Sequence, residues 1–121
     1  MTMKSGNRAV RVQREGEAIA ELHLLAAFDM LRRARGLLGR PQPLPGQGVW
    51  LKPCNAVHCW FMGYAIDVLF LDGEGRVLKL CSQLLPWRMA ACRGARSVVE
   101  LAGGEAERLK IAEGDVITCV A

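Results

Sequence analysis

No stretch of about 18 consecutive apolar residues occurs in this chain of 121 residues, which excludes a membrane-spanning helix. A phosphate-cradling glycine loop, a Gly-x-Ser-x-Gly elbow and a pair of isolated carboxylates are all absent, so the chemistries they carry lack their residues. Aromatic residues make up only 6% of the chain. Platforms for stacking single-stranded nucleic acid are therefore scarce, and nucleic acid is not an expected partner. No internal repeat and no low-complexity segment is present. The best apolar stretch near the N-terminus, from Ala18 to Phe28, is interrupted by Glu21 and His23 and has no small-residue cleavage site behind it, unlike a secretory signal. Five cysteines stand at positions 54, 59, 81, 92 and 119, an odd number with no recurring close pair. That pattern is not a disulfide framework. The expectation is reduced thiols in the cytoplasm.

What is there is the composition of a globular protein, 51% hydrophobic and 23% charged. A chain this long buries roughly two-thirds of its unfolded surface, so it needs neither disulfide nor metal to fold. The net charge of +4 is uneven. Residues 1–40 hold eight Lys or Arg against four Asp or Glu, whereas residues 41–121 hold eight of each. Arg32, Arg33, Arg35 and Arg40 form the densest patch. It reads as a solvated helix face and its exit loop, or as a surface for phosphate or an acidic protein partner.

Hydrophobic periodicity places the elements. Residues 1–7 are polar and are expected to be a flexible N-terminus, leaving 8–121 as one domain. Residues 8–14 alternate, with Val10 and Val12 against Arg and Gln, as a half-buried strand does. Residues 19–25 continue in extended form beyond Gly16. The period then changes: Ala27, Met30, Leu31, Ala34 and Leu38 recur at three- and four-residue steps, which predicts an amphipathic main helix over 26–38, stopped by Pro41. Residues 41–48 hold Pro41, Pro43, Pro45, Gly46 and Gly48 and read as a rigid loop. Strands are predicted over 48–52, 57–62, 66–72 and 76–84, with a hairpin turn at Asp72-Gly73-Glu74-Gly75. Residues 87–94 read as irregular, 97–101 as extended, 104–110 as a short helical turn and 115–120 as a last strand. The fold class is α+β: a mostly antiparallel, β-rich curved sheet or partly open barrel with one main helix and one short helix.

Three constellations carry chemistry. Cys54, His58, Cys59 and Met62 crowd soft-metal ligand types into one segment. On a strand, however, His58 and Cys59 point to opposite faces, and Cys54 and His58 stand about 13 Å apart, too far for one ion. No metal and no cofactor is expected. The second is a thiol-dependent hydrolase or transferase in which Cys54 is the nucleophile and His58 its base, the two brought together by a turn at Asn55-Ala56. In the plain reading Cys59, Cys81 and Cys119 are small core hydrophobes. The third is a polar pocket formed by His58, Met62 and Asp67, with Arg40 or Arg88 as partners for a small anionic ligand. Asp67 opens the apolar run Val68-Leu69-Phe70-Leu71 and must find donors, either in a ligand site or in a backbone turn. Trp87, Arg88, Arg93 and Arg96 around Pro86 form a further basic group with an aromatic, read as Arg–Trp packing or as an anion site.

With these residues laid out, the chain resembles the domain of unknown function 192 family of bacteria and archaea over about residues 20–121. The marks are Arg35-Gly36-Leu37-Leu38-Gly39-Arg40, Val57-His58-Cys59-Trp60-Phe61-Met62, Ile66-Asp67-Val68-Leu69-Phe70-Leu71-Asp72 with Gly75, Val98-Val99-Glu100-Leu101 with Gly103, and Gly114-Asp115. The Pro-Cys-Asn-Ala-Val-His form resembles the proteobacterial branch, with Cys59 where that branch commonly has Thr and Gly63 where a basic residue is common. The resemblance implies a compact, β-rich α+β domain and no activity. Many relatives carry export leaders, which this chain does not show. The reading is a small, non-enzymatic binding or accessory module with its pocket at His58 and Asp67. The alternatives are the Cys54/His58 thiol enzyme and an assembly adaptor that binds an acidic partner through Arg32–Arg40.

Overall fold

The computed structural model describes residues 7–28, 37, 39–60 and 62–120. Among the described residues nine strands and a short helix follow one another: β1 Asn7–Arg14, β2 Glu17–Ala27, β3 Gln47–Leu51, β4 Ala56–His58, β5 Ile66–Leu71, β6 Val77–Leu84, β7 Met89–Ala91, β8 Ser97–Ala102, α1 Glu105–Leu109 and β9 Val116–Cys119. Seven strands form one sheet in the order β6-β5-β8-β3-β2-β1-β9, and β4 and β7 form a separate pair. Every neighbouring pair is antiparallel except β2–β3. The fold is β-rich and mostly antiparallel, and the sheet is not closed into a barrel.

The central strands explain the arrangement. All six residues of β5 and all six of β8 are buried, so both faces of the sheet are covered there. Their near-continuous apolar runs suit strands with no solvated face. One core cluster takes Val10, Leu22, Trp50, Leu69, Val77, Val99 and Ile117 from all seven strands, together with Ala106 of α1. This is the concave side of a curled sheet. The other cluster packs Val49, Val68, Phe70 and Val98 against Val57, Cys59, Met62 and Leu37 on the convex side.

The two edges of the sheet meet at one corner. Val77 N–H donates to the Asp115 carbonyl (2.8 Å), and Ile117 N–H donates to the Gly75 carbonyl (2.8 Å). The predicted turn lies at this corner. Asp72 Oδ1 accepts from the N–H groups of Glu74 (2.8 Å) and Arg76 (3.0 Å), and Gly75 adopts φ 87°. A Cβ on Gly75 would run into the Ile117 carbonyl, so only glycine allows both the turn and the edge contact.

The structure differs from the sequence reading at several points. Ala26 and Ala27 belong to β2, because that strand is held by β1 on one side and by β3 on the other. Of the remaining positions of the predicted main helix, Phe28 and Leu37 are described, whereas residues 29–36 and 38, with Arg32, Arg33 and Arg35 among them, lie outside the described residues. Asn7 starts β1 rather than ending a frayed tail, paired with Leu25. The predicted strand 57–62 stops at His58. There the Cys59 carbonyl accepts from both Met62 N–H (3.3 Å) and Trp87 N–H (2.8 Å), which bends the chain. Residues 89–91, read as irregular, form β7 because β4 supplies a partner. Cys59 is fully buried as expected, but Cys81 is half-buried and Cys119 is exposed at the end of an edge strand, beyond the core.

Gly75→Ala is expected to lower the unfolding free energy by about 3 kcal/mol in urea titration, from overpacking and a disfavoured φ. Gly63→Ala, with open space around its Cβ, is expected to stay within about 0.5 kcal/mol of wild type.

Candidate functional site

Asp67 and Glu100 are the two carboxylates set into the fully buried central strands, and the fold treats them differently. Asp67 is on the concave side. Its Oδ1 accepts from Gln83 N–H (2.8 Å) and Gly104 N–H (3.1 Å), and its Oδ2 from Gly104 N–H (3.1 Å) and Ala106 N–H (2.7 Å). The β5–β6 register shifts opposite Asp67, and Gln83 adopts φ 57° there. Gly104 precedes α1 in a left-handed conformation and offers no side-chain cap, so the carboxylate of Asp67 satisfies orphan N–H groups of the first helical turn from across the sheet.

Glu100 faces the convex side, in register with Val49 on one side and Val68 on the other. Burial pushes its carboxyl up to about 7, opposed only by a hydrogen bond from the Leu37 backbone N–H. Its Oε1 is buried with no hydrogen-bond partner among the described residues. Two neighbours feel it. Burial first, and then proximity to Glu100, raises the Cys59 thiol to about 11 and shifts the Tyr64 hydroxyl upward, the latter opposed by Arg40. A thiol so shifted is the opposite of an activated nucleophile. Sequence reasoning passed over Glu100 as a site residue. The signal that drew attention to Asp67, a single acid within an apolar run, is equally present in Val98-Val99-Glu100-Leu101-Ala102.

Above Leu37 and Val49 lies a groove of about 530 Å³, within the range of small-ligand sites. Leu25, Leu37 and Val49 form its apolar floor, with His23, Arg40 and Gln47 among its polar residues. Its described lining contains no Asp or Glu. The Pro-rich wall is tied down along its length. Tyr64 Oη donates to the Arg40 carbonyl (3.1 Å), Gly46 N–H donates to Glu105 Oε1 (2.8 Å), and His23 N–H donates to the Gly46 carbonyl (2.8 Å). Near its rim, His23 Nε2 lies 3.5 Å from Glu21 Oε2. A second hollow of about 510 Å³ is lined by Arg14, Arg76, Glu113 and Asp115. Its cations are already engaged: Arg14 Nε donates to Asp115 Oδ1 (2.8 Å), and Arg76 donates to the Gly114 carbonyl (3.0 Å).

The residues singled out from the sequence fall into separate environments. His58 is exposed on the outer face of β4, its ring 5.0 Å from that of Trp60. Met62 is buried in the convex core, and Asp67 is buried beneath α1. Those three therefore do not line a common mouth. Arg40 lines the groove, and Arg88 is exposed between β6 and β7. Cys54 is half-buried, its Sγ 3.2 Å from the Ala56 carbonyl, an acceptor that does not generate a thiolate.

Comparison with known proteins follows the same outline. The sequence profile of the domain of unknown function 192 family (DUF192, Uncharacterized ACR) matches residues 10–119. No curated protein matches the chain. Two solved structures share the fold. One is a putative transcription regulator from Sinorhizobium meliloti 1021, with TM-score 0.86, 21% identity and 98% of each chain covered. The other is a protein of unknown function from Novosphingobium aromaticivorans DSM 12444, with TM-score 0.82 and 21% identity, covering 92% of this chain and 84% of that one.

Asp67→Ala is expected to cost about 3 kcal/mol in denaturant unfolding, because several buried N–H donors lose their acceptor. For Glu100 the folded-state value lies above the ordinary carboxylate value of 4.5. Between pH 4.5 and about 7 the unfolded chain releases this proton while the folded one keeps it, so its contribution to stability falls as pH rises through that window. Unfolding of Glu100→Gln compared with wild type is expected to show this, with the variant gaining on the order of 3 kcal/mol relative to wild type across the window.

Proposed function

The chain belongs to the DUF192 family, whose members are uncharacterised, and on that premise we propose that it is a small binding module whose groove takes a small organic anion with an apolar body. The carrying observation is the composition of the groove: an aliphatic floor, Arg40 and His23 as its ionisable groups, and no carboxylate among its described lining residues. An apolar pocket with a few convergent polar groups is the usual form of a small-molecule site. The guanidinium of Arg40 offers a fork of donors that matches a carboxylate or phosphate. His23 lies beside Glu21, and Arg40 is the cation that lines the groove itself. The apolar floor of Leu25, Leu37 and Val49 favours a ligand with a hydrocarbon portion over inorganic phosphate alone. The tethers from Tyr64, Glu105 and His23 hold the wall in place before any ligand arrives, which lowers the entropic cost of binding.

Octanoate titrated into the protein is expected to shift the methyl NMR resonances of Leu25 and Val49 saturably, with octylammonium binding at least tenfold more weakly. Arg40→Gln is expected to weaken octanoate about tenfold, as loss of a charge-assisted hydrogen bond does. Equal binding of the two amphiphiles, or an Arg40→Gln variant that binds octanoate like wild type, overturns the reading.

A further inference from the structure

We propose, on the reading of the groove as an anion site, that Glu100 makes binding there proton-linked: the groove holds its anion more tightly while this acid is neutral, and a bound anion draws a proton onto it. The geometry joins the acid to the groove. Glu100 stands beside Val49 in the β3–β8 register and accepts a hydrogen bond from Leu37 N–H. Val49 and Leu37 are both floor residues, so the carboxyl adjoins the floor from the core side. Leu37 also ties the acid to the anchor, because its carbonyl accepts from Arg40 N–H (3.0 Å). Tyr64 Oη, which donates to the Arg40 carbonyl (3.1 Å), is reached by both charges: Glu100 shifts the hydroxyl upward and Arg40 opposes it.

The setting of Glu100 is that of a group free to change charge, unlike that of Asp67. Asp67 is supplied by the N–H groups of Gln83, Gly104 and Ala106. Glu100 is equally buried, has the one donor from Leu37, and keeps an oxygen without a partner among the described residues. Ionisation therefore leaves a poorly compensated charge in the convex core. An anion in the adjoining groove makes that ionisation harder, and by linkage ionisation weakens the hold on the anion. A neutral carboxyl still accepts from Leu37 through its carbonyl oxygen, so the floor keeps its shape and the charge alone changes.

The groups facing Glu100 leave it as the one that titrates near neutrality among the described residues. Val49 of β3 and Val68 of β5 carry no ionisable group. Cys59, raised to about 11, and Tyr64, raised above the ordinary phenol value, stay neutral there. Arg40 keeps the charge that any arginine keeps. Burial sets the Glu100 carboxyl at about 7, so it is neutral below that pH and opposes a bound anion above it.

The test titrates octanoate into the protein by calorimetry near pH 6 and near pH 8, in buffers of different ionisation enthalpy, and follows the Glu100 carboxyl carbon by NMR. Wild-type affinity is expected to fall about fivefold between the two pH values, with roughly half a proton taken up per octanoate midway and the Glu100 titration moved upward by bound octanoate. Glu100→Gln is expected to bind near pH 8 as tightly as wild type does near pH 6, without proton uptake. His23→Gln is expected to keep the fall, which separates the buried acid from the other ionisable group of the lining. Equal affinity at both pH values, or a fall that survives Glu100→Gln and disappears in His23→Gln, overturns the proton link and leaves the groove an anion site. Octanoate that fails to bind at either pH, or that binds without regard to Arg40→Gln, overturns the anion site and its proton link together.

Discussion

The carboxylate of Asp67 is the junction on which the concave half of the molecule depends. It sits in β5, a fully buried strand, yet its contacts reach forward to Gln83, Gly104 and Ala106. A buried carboxylate without partners is costly, and a short helix with uncapped N–H groups is unstable. Each deficit resolves the other. The shift in register on β6 aims one donor, the left-handed Gly104 aims a second, and α1 supplies the third. The helix then covers the concave core through Ala106. The position of α1 is therefore set by a side chain many residues earlier in the chain.

Glu100 is the counterpart on the opposite face, and it is left incomplete. One backbone donor, from Leu37, is set against nearly complete burial, and one oxygen has no partner among the described residues. The same residues that cover Glu100 also form the floor of the groove: Val49 beside it in register and Leu37 above it. The convex side thus combines a cost in stability with a groove of small-ligand size. Stored cost of this kind collects where a protein's surface serves something other than its own folding.

Much of the sheet was legible because its signals are local. Alternation in residues 8–14, the Asp-Gly-Glu-Gly turn and the apolar run after Asp67 each reflect a strand period or a turn conformation held within a few residues. What could not be read depended on distant partners. The parallel pairing of β2 with β3 carries β2 through Ala27, where local periodicity indicates a helix. The strand at Met89 exists because β4 lies beside it, and the chain bends at Cys59 because its carbonyl serves Met62 and Trp87. The site was less legible than the fold. His58, Met62 and Asp67 are close in sequence, but successive residues on strands and turns diverge, and the three end in different environments.

The sequence by itself determined the class of structure: a β-rich chain with strands of known period, a hairpin pinned by glycine, and acids embedded in apolar strands that must be satisfied. These follow from backbone sterics and from the cost of burying polar groups, both of which act locally. Only the tertiary structure decided which acid would find its donors. Asp67 does so because the curl of the sheet brings the end of β6 and the start of α1 to its face, whereas Glu100 faces the apolar convex core with one donor in reach. That choice depends on which strands neighbour one another, a property of long-range packing that no local pattern encodes.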